Sequence, residues 1–425
     1  MKRFIARPAS IAIVTWLAAV LMLPQPGHAA GAAAAAPLAN PAPQRSSAPT
    51  RPSGRDQKAL AARIERLAER ILKEAKGSGM AIAIVQDDTV LLERGFGVTD
   101  TGSGEAVDAD TVFRLASLSK GFAGTLAAML VSEGAMRWDA RIIDHLPAFK
   151  LRNLQSAQTL TVQDILSHRV GLPYNTFDRL LEQDEPYPLL VAKLGEIDPV
   201  CESGECYGYQ NIAFSLIGDM VFASTGDFYT HQVEKRIFHP LGMYTATFGR
   251  DGLEESARWA RPHIRQGGRW TPVRPKETYY RIPPAAGVNA SIRDLSLWLR
   301  AQLGNAPQIL SPELLAAVHA PLVDTPGELR SSRWRRERLR DAHYALGWRI
   351  YDYSGTTLVY HAGAVQGYRA MLGLLPEYGF GMVVVWNSES TMPSGLLPTA
   401  LDQYLKSPEQ DWLQLDAPVR RGYLR

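Results

Sequence analysis

The 425-residue chain is 46% apolar and 9% aromatic, enough to bury a sizeable core and more than one compact core usually needs. Its formal charge is +3, an excess supplied by Lys2, Arg3 and Arg7 near the start. Setting those three aside leaves 43 basic residues against 43 acidic ones, so no global field draws the chain to nucleic acid or to an anionic membrane.

Residues 1–30 read as a secretory signal, with a basic start, the uncharged run Ile11–Leu23 and a small-residue end at Ala29-Ala30. That thirteen-residue run is shorter than the about 20 residues of a membrane span, so export to the periplasm without a stable span is expected. Residues 31–54, rich in Ala, Pro and Ser, cannot bury a core and read as a disordered tether. From Arg55 to Lys76, Leu60, Ile64, Leu67 and Ile71 recur at helical spacing. Met80–Gln86 and Thr89–Gly97 read as two strands about a turn at Gln86-Asp87-Asp88.

Ser117-Leu118-Ser119-Lys120 opens the next helix, the one place where a serine precedes a lysine by three. Residues i and i+3 share a helix face, so the amine can reach the hydroxyl, and a serine needs such a base to become nucleophilic. The helix start adds unpaired N–H groups that favour a developing anion. Phe122, Leu126, Met129 and Leu130 give this helix one apolar face. Thr161 and Asp164 form a capping arrangement for a short helix ending near Gly171. Cys201 and Cys206, the two cysteines of an exported chain, are expected to pair and to stiffen the loop before Tyr209. Tyr209-Gln210-Asn211 is the one Tyr-x-Asn. A tyrosine hydroxyl can relay protons where a neighbouring cation lowers its pKa, and an asparagine can orient a lysine or a substrate carbonyl.

Helical patterns dominate to about residue 300. The six arginines of Arg330–Arg340 read as a solvated loop. Strands return at Gly347–Tyr353, Thr357–His361, Tyr368–Leu375 and Gly381–Asn387, and Leu396–Leu405 closes the chain as a helix. One sheet is therefore assembled from both ends of the chain. The histidines show no compact ligand spacing, so neither a metal nor another cofactor is expected.

The ordered set Ser117-x-x-Lys120, Tyr209-x-Asn211 and His361-Ala362-Gly363 resembles the serine β-lactamase and penicillin-binding-protein superfamily, in its class C-like branch. Phe113–Ala116, Ile165–Pro173, Pro284–Ser291 and Ala345–Trp348 also have counterparts there, so the likeness spreads over most of the chain beyond about residue 60. It implies an α/β fold: an antiparallel sheet flanked by helices (55–115 and 330–425) plus an inserted all-helical domain, for which the mainly helical stretch 116–329 is the counterpart, with the site in the cleft. By the same resemblance Ser117 is the nucleophile, while Lys120 and Tyr209 move its proton. Asn211 orients Lys120 and substrate, His361 and Gly363 line the strand, and the backbone N–H groups of Ser117 and Ala364 hold the oxyanion. His168 is a structural histidine bonded to backbone.

The third motif departs from the family's Lys-Thr-Gly. It removes a permanent cation, so an acidic substrate would need another, for which Arg369 is the candidate. For a small-molecule substrate the leading expectation is β-lactam hydrolysis; the alternatives are hydrolysis of another ester or D-amino-acid amide, as by an esterase or D-amino-acid peptidase of the same fold, and a penicillin-binding sensor acylated without turnover. A monomer is expected.

Overall fold

A computed structural model describes residues 50–75 and 78–415, which lie in one compact unit. The expected signal at 1–30 and nearly all of the tether fall outside the described residues. The first helix, α1 (Gly54–Ala75), buries the stripe Leu60, Ile64, Ala68 and Ile71. Strands β1 (Met80–Gln86) and β2 (Thr89–Phe96) follow as a hairpin. After β3 (Val112–Arg114) comes α2 (Ser119–Ser132), entered through a 3-10 turn at Ala116–Leu118.

The middle of the chain is not all helical. It contributes β4 (Thr247–Phe248), β5 (His263–Gln266), β6 (Arg269–Pro272) and β7 (Val288–Ser291), then α3 (Ile292–Arg300) and β8 (Val323–Asp324). Strands β3, β7 and β4 make a small antiparallel sheet, and β5–β6 a separate ribbon. The rest of the chain supplies β9 (Leu339–Tyr344), β10 (Arg349–Tyr353), β11 (Thr356–Val365), β12 (Tyr368–Leu375), β13 (Phe380–Trp386) and α4 (Leu396–Tyr404).

The main sheet has eight strands in the order β2-β1-β13-β12-β11-β10-β9-β8, every neighbouring pair antiparallel. Both faces are covered, which is why β1 and β13 are buried at every position and read as unbroken apolar runs. Ala81, Ala83, Val85, Val383 and Val385 face the core shared with α2 and α3. Ile82, Ile84, Met382 and Val384 face α1 and α4. Each fully buried valine or isoleucine contributes about 1.5–3 kcal/mol.

Two expectations are corrected. Helix α2 does not have one apolar face: it is buried almost all round, from Ser119 through Ala128 and at Leu130. Its core position suits a helix threaded between the sheet and the helical region. Nor is Arg330–Arg340 wholly a solvated loop: Arg330, Arg333, Arg336 and Arg340 are exposed as expected, but Arg335 and Arg338 are packed. Residues Arg333–Arg338 form a helical turn that buries Trp334, while Arg338 binds Asp402 at 2.8 Å and Arg335 reaches Glu328. No helix among the described residues is long and apolar enough to cross a membrane.

Candidate active site

The turn before α2 carries Ser117 in a constrained setting. Ala116 adopts φ +51°, a left-handed conformation that costs a non-glycine residue about 1–3 kcal/mol. The turn is pinned from both sides. Ser119 Oγ donates to Ala116 O at 2.6 Å and accepts from Val288 N at 3.0 Å, while Leu115 N bonds Val288 O at 3.0 Å. Ser117 is left partly accessible above it.

Lys120, fully buried, lies one turn on. Its Nζ is 2.7 Å from Asn211 Oδ1, 3.0 Å from Ala285 O and 3.3 Å from Ser117 Oγ. Asn211 Nδ2 donates to Asp178 Oδ2 at 2.7 Å, which fixes the amide with its oxygen toward the lysine. Burial holds the Lys120 amine well below the ordinary lysine value, against the pull of Asp178 and with Arg349 adding to the depression. Nζ donates to Asn211 Oδ1 and Ala285 O, which leaves its third position toward Ser117 Oγ.

Tyr209 completes the group, its hydroxyl 3.0 Å from Ser117 Oγ. Its loop is clamped to residues 168–171: Gly204 N bonds Arg169 O at 2.7 Å, Gly208 N bonds His168 O at 2.9 Å, and Gln210 N donates to His168 Nδ1 at 3.1 Å. His168 is thus the structural histidine expected, and the Cys201–Cys206 disulfide closes the same loop. The condition of a Tyr209 pKa lowered by a cation is not met in the resting site. Lys120 Nζ and Arg349 Cζ do lie 4.7 and 5.6 Å from its ring centre. Burial outweighs the Ser117 bond and the Arg349 charge, so the hydroxyl titrates above the ordinary phenol value. In the resting site Tyr209 is a donor.

Strand β11 borders the site on the far side. It pairs with β10 only as far as Tyr360, so residues 361–365 keep one edge toward the Ser117 turn. Gly363 permits that approach: a Cβ there would sit 2.2 Å from Leu115 O and 3.1 Å from Ser117 N. Ala364 follows, exposed. His361 is buried, donating from Nδ1 to Ala362 O at 2.8 Å and accepting at Nε2 from the Tyr344 hydroxyl at 3.1 Å. Burial, then Arg349 and Lys120, hold it well below the ordinary histidine value, so it is neutral. Arg369 stands opposite Ala364 in the β11–β12 register. Its Nη1 donates to Val365 O at 2.6 Å and Tyr368 O at 2.8 Å, fastening the turn of its own hairpin.

The beta-lactamase family model matches residues 64–405. The chain belongs to the beta-lactamase family. Among similar proteins, penicillin-binding protein 4 of Amycolatopsis lactamdurans is 26% identical over 73% of this chain and 80% of its own length. An unguisins hydrolase, ungD′ of Aspergillus campestris, is 26% identical, and protein flp of Staphylococcus aureus 25%, each over 77% of this chain. The chain spans 61% and 63% of the length of those two. The octameric penicillin-binding protein homologue of Pyrococcus abyssi shares the fold at TM-score 0.73 and 24% identity, over 83% of this chain and 79% of its own. EstCE1, a hydrolase with promiscuous acyltransferase activity, does so at TM-score 0.68 and 16% identity, over 83% of this chain and all of its own.

Three neighbours of the site were not singled out from sequence. Asp178 opens a short helix, where an acid is commonplace. Ala285 lies in the Pro284–Ser291 segment, whose likeness to the family marked the stretch and not its carbonyl. Arg349 follows Ala345–Trp348 with nothing to distinguish it.

Proposed function

We propose that the protein is a serine hydrolase that works through a covalent acyl-enzyme. The observation that supports this most is the contact of Ser117 Oγ with Lys120 Nζ on one side and the Tyr209 hydroxyl on the other. In acylation Ser117 Oγ bonds to the substrate carbonyl carbon and its proton passes to Lys120. The oxyanion is held by the N–H groups of Ser117 and Ala364. The tetrahedral intermediate collapses as Tyr209 gives its proton to the leaving oxygen or nitrogen, and Lys120 reprotonates Tyr209. Water then attacks the ester by the reverse route, returning a proton to Ser117.

The preferred substrate in this reading is a neutral ester or amide. A neutral His361, an Ala362 and an Arg369 bound to its own hairpin offer no cation to a substrate carboxylate. β-Lactam hydrolysis is the second reading, favoured by the Tyr-x-Asn geometry and by the penicillin-binding relative. Export belongs to the same proposal and is supported by the disulfide, since such bonds persist in oxidising compartments.

The test is covalent labelling. Wild-type protein should gain one fluorophosphonate or penicilloyl adduct by mass spectrometry, and Ser117→Ala should gain none while keeping its melting temperature. Undiminished labelling of the folded variant would remove Ser117 from the mechanism.

A further inference from the structure

The arginine-rich segment and the residue after Trp348 meet beneath the site. Glu328 joins them: its Oε1 lies 2.6 Å from Arg349 Nη1, and its Oε2 takes Arg335 Nη1 and the Tyr351 hydroxyl, the latter at 2.8 Å. All three charged side chains are largely withdrawn from water, at 14% exposure for Arg349 and Arg335 and 16% for Glu328. Two guanidinium groups share one carboxylate, so the cluster carries a net positive charge. Arg335 lies against Trp334, Tyr351 and Tyr360, away from the nucleophile. Arg349 lies against Tyr209 and Tyr344, with its Cζ 5.6 and 5.5 Å from their ring centres. Tyr344 is the residue that bonds His361.

We propose that Arg349 is a positioning residue for the proton relay, a fixed buried cation that seats Tyr209 and stabilises the tyrosinate formed while its proton is on the leaving group. The inference rests on the acyl-enzyme reading above. A phenolate in a dry site is costly unless a charge already stands beside it, and an arginine cannot lose its proton to the relay as a lysine would. Glu328 keeps the cation in place, with its second oxygen engaged by Arg335 and Tyr351, so the field toward Tyr209 is not cancelled.

Ethyl butyrate, whose alkoxide leaving group needs protonation, is a suitable probe. Arg349→Met should lower kcat about ten-fold or more with little change in KM, within the range of acid–base assistance. Arg349→Lys, which keeps the charge, should recover most of that loss. In a Tyr209→Phe background, Arg349→Met should cost less than about two-fold, because both changes remove one coupled effect. Should Arg349→Met unfold by stranding Glu328, the paired change Arg349→Met with Glu328→Gln removes the cation together with its counter-ion. Equal losses in both backgrounds, or equal losses for Lys and Met, overturn the proposal. Failure of Ser117 labelling would instead sink the acyl-enzyme reading, and labelling with an additive cycle would sink this inference alone.

Discussion

Lys120 can serve as a base only because it is buried. At the ordinary lysine value of 10.5 the amine would be protonated at neutral pH and would have no lone pair for the Ser117 proton. Burial lowers the folded value while the unfolded value stays near 10.5, so folding releases a proton in the window between them. The neutral amine's contribution to stability is fully present above the unfolded value and is lost as pH falls through the folded one. Lys120→Met should therefore flatten the pH dependence of melting across that window and stabilise the protein toward acid pH. The same change should cut kcat/KM about 10²–10⁴-fold and abolish its acid limb. Melting curves with the same pH dependence as wild type would show that Lys120 is charged in the fold. The spacing of Ser117 and Lys120 made this pair legible, since one helical turn dictates their contact. The Asn211–Asp178 support was half legible, because Asp178 reaches the site from a different segment and its own surroundings resemble any helix start.

At the scale of elements, the site depends on how closely β11 can press on the Ser117 turn. Gly363→Ala places a methyl group 2.2 Å from a carbonyl oxygen that the turn cannot easily move. Overpacking of this kind costs about 1–3 kcal/mol, but the larger effect should be on acylation. Moving β11 displaces the Ala364 N–H from the oxyanion, and one lost donor costs about 10²–10³ in rate. The labelling rate of Gly363→Ala should fall by that order while a few degrees of melting temperature are lost; wild-type labelling would mean that Ala364 does not hold the oxyanion. Long elements were readable in advance: α1, β1, β2, β12, β13 and α4 carry full runs of periodic or continuous apolar residues. The small sheet β3-β7-β4 was not, because two to four residues give no period to detect and its pairings join positions far apart in sequence. Arg330–Arg340 misled for a related reason: its partners Glu328, Tyr351 and Asp402 are supplied largely from elsewhere, so charge pattern alone suggested solvent.

Across the whole molecule, charge placement argues for the substrate. Lys120 Nζ is engaged by Asn211 and Ala285, Arg349 lies behind the rings of Tyr209 and Tyr344, Arg369 fastens its hairpin, and His361 is held neutral between Tyr344 and its own strand. A substrate carboxylate on the leaving group would enter a cleft where none of these candidate cations is available to it. The comparison that decides this uses two butyrate esters of phenol, one bearing a meta carboxylate and the other a meta carboxamide. Their rates are normalised to alkaline hydrolysis so that leaving-group electronics cancel. The neutral ester should be favoured in kcat/KM by about ten-fold or more, the equivalent of one missing ion pair at about 1.4 kcal/mol. Raising the salt concentration should leave the KM of both unchanged, since no long-range attraction is being screened. A preference for the carboxylate, together with a KM that rises with salt for that ester alone, would reveal a cation reading it. β-Lactam hydrolysis would then move ahead of the neutral-ester reading.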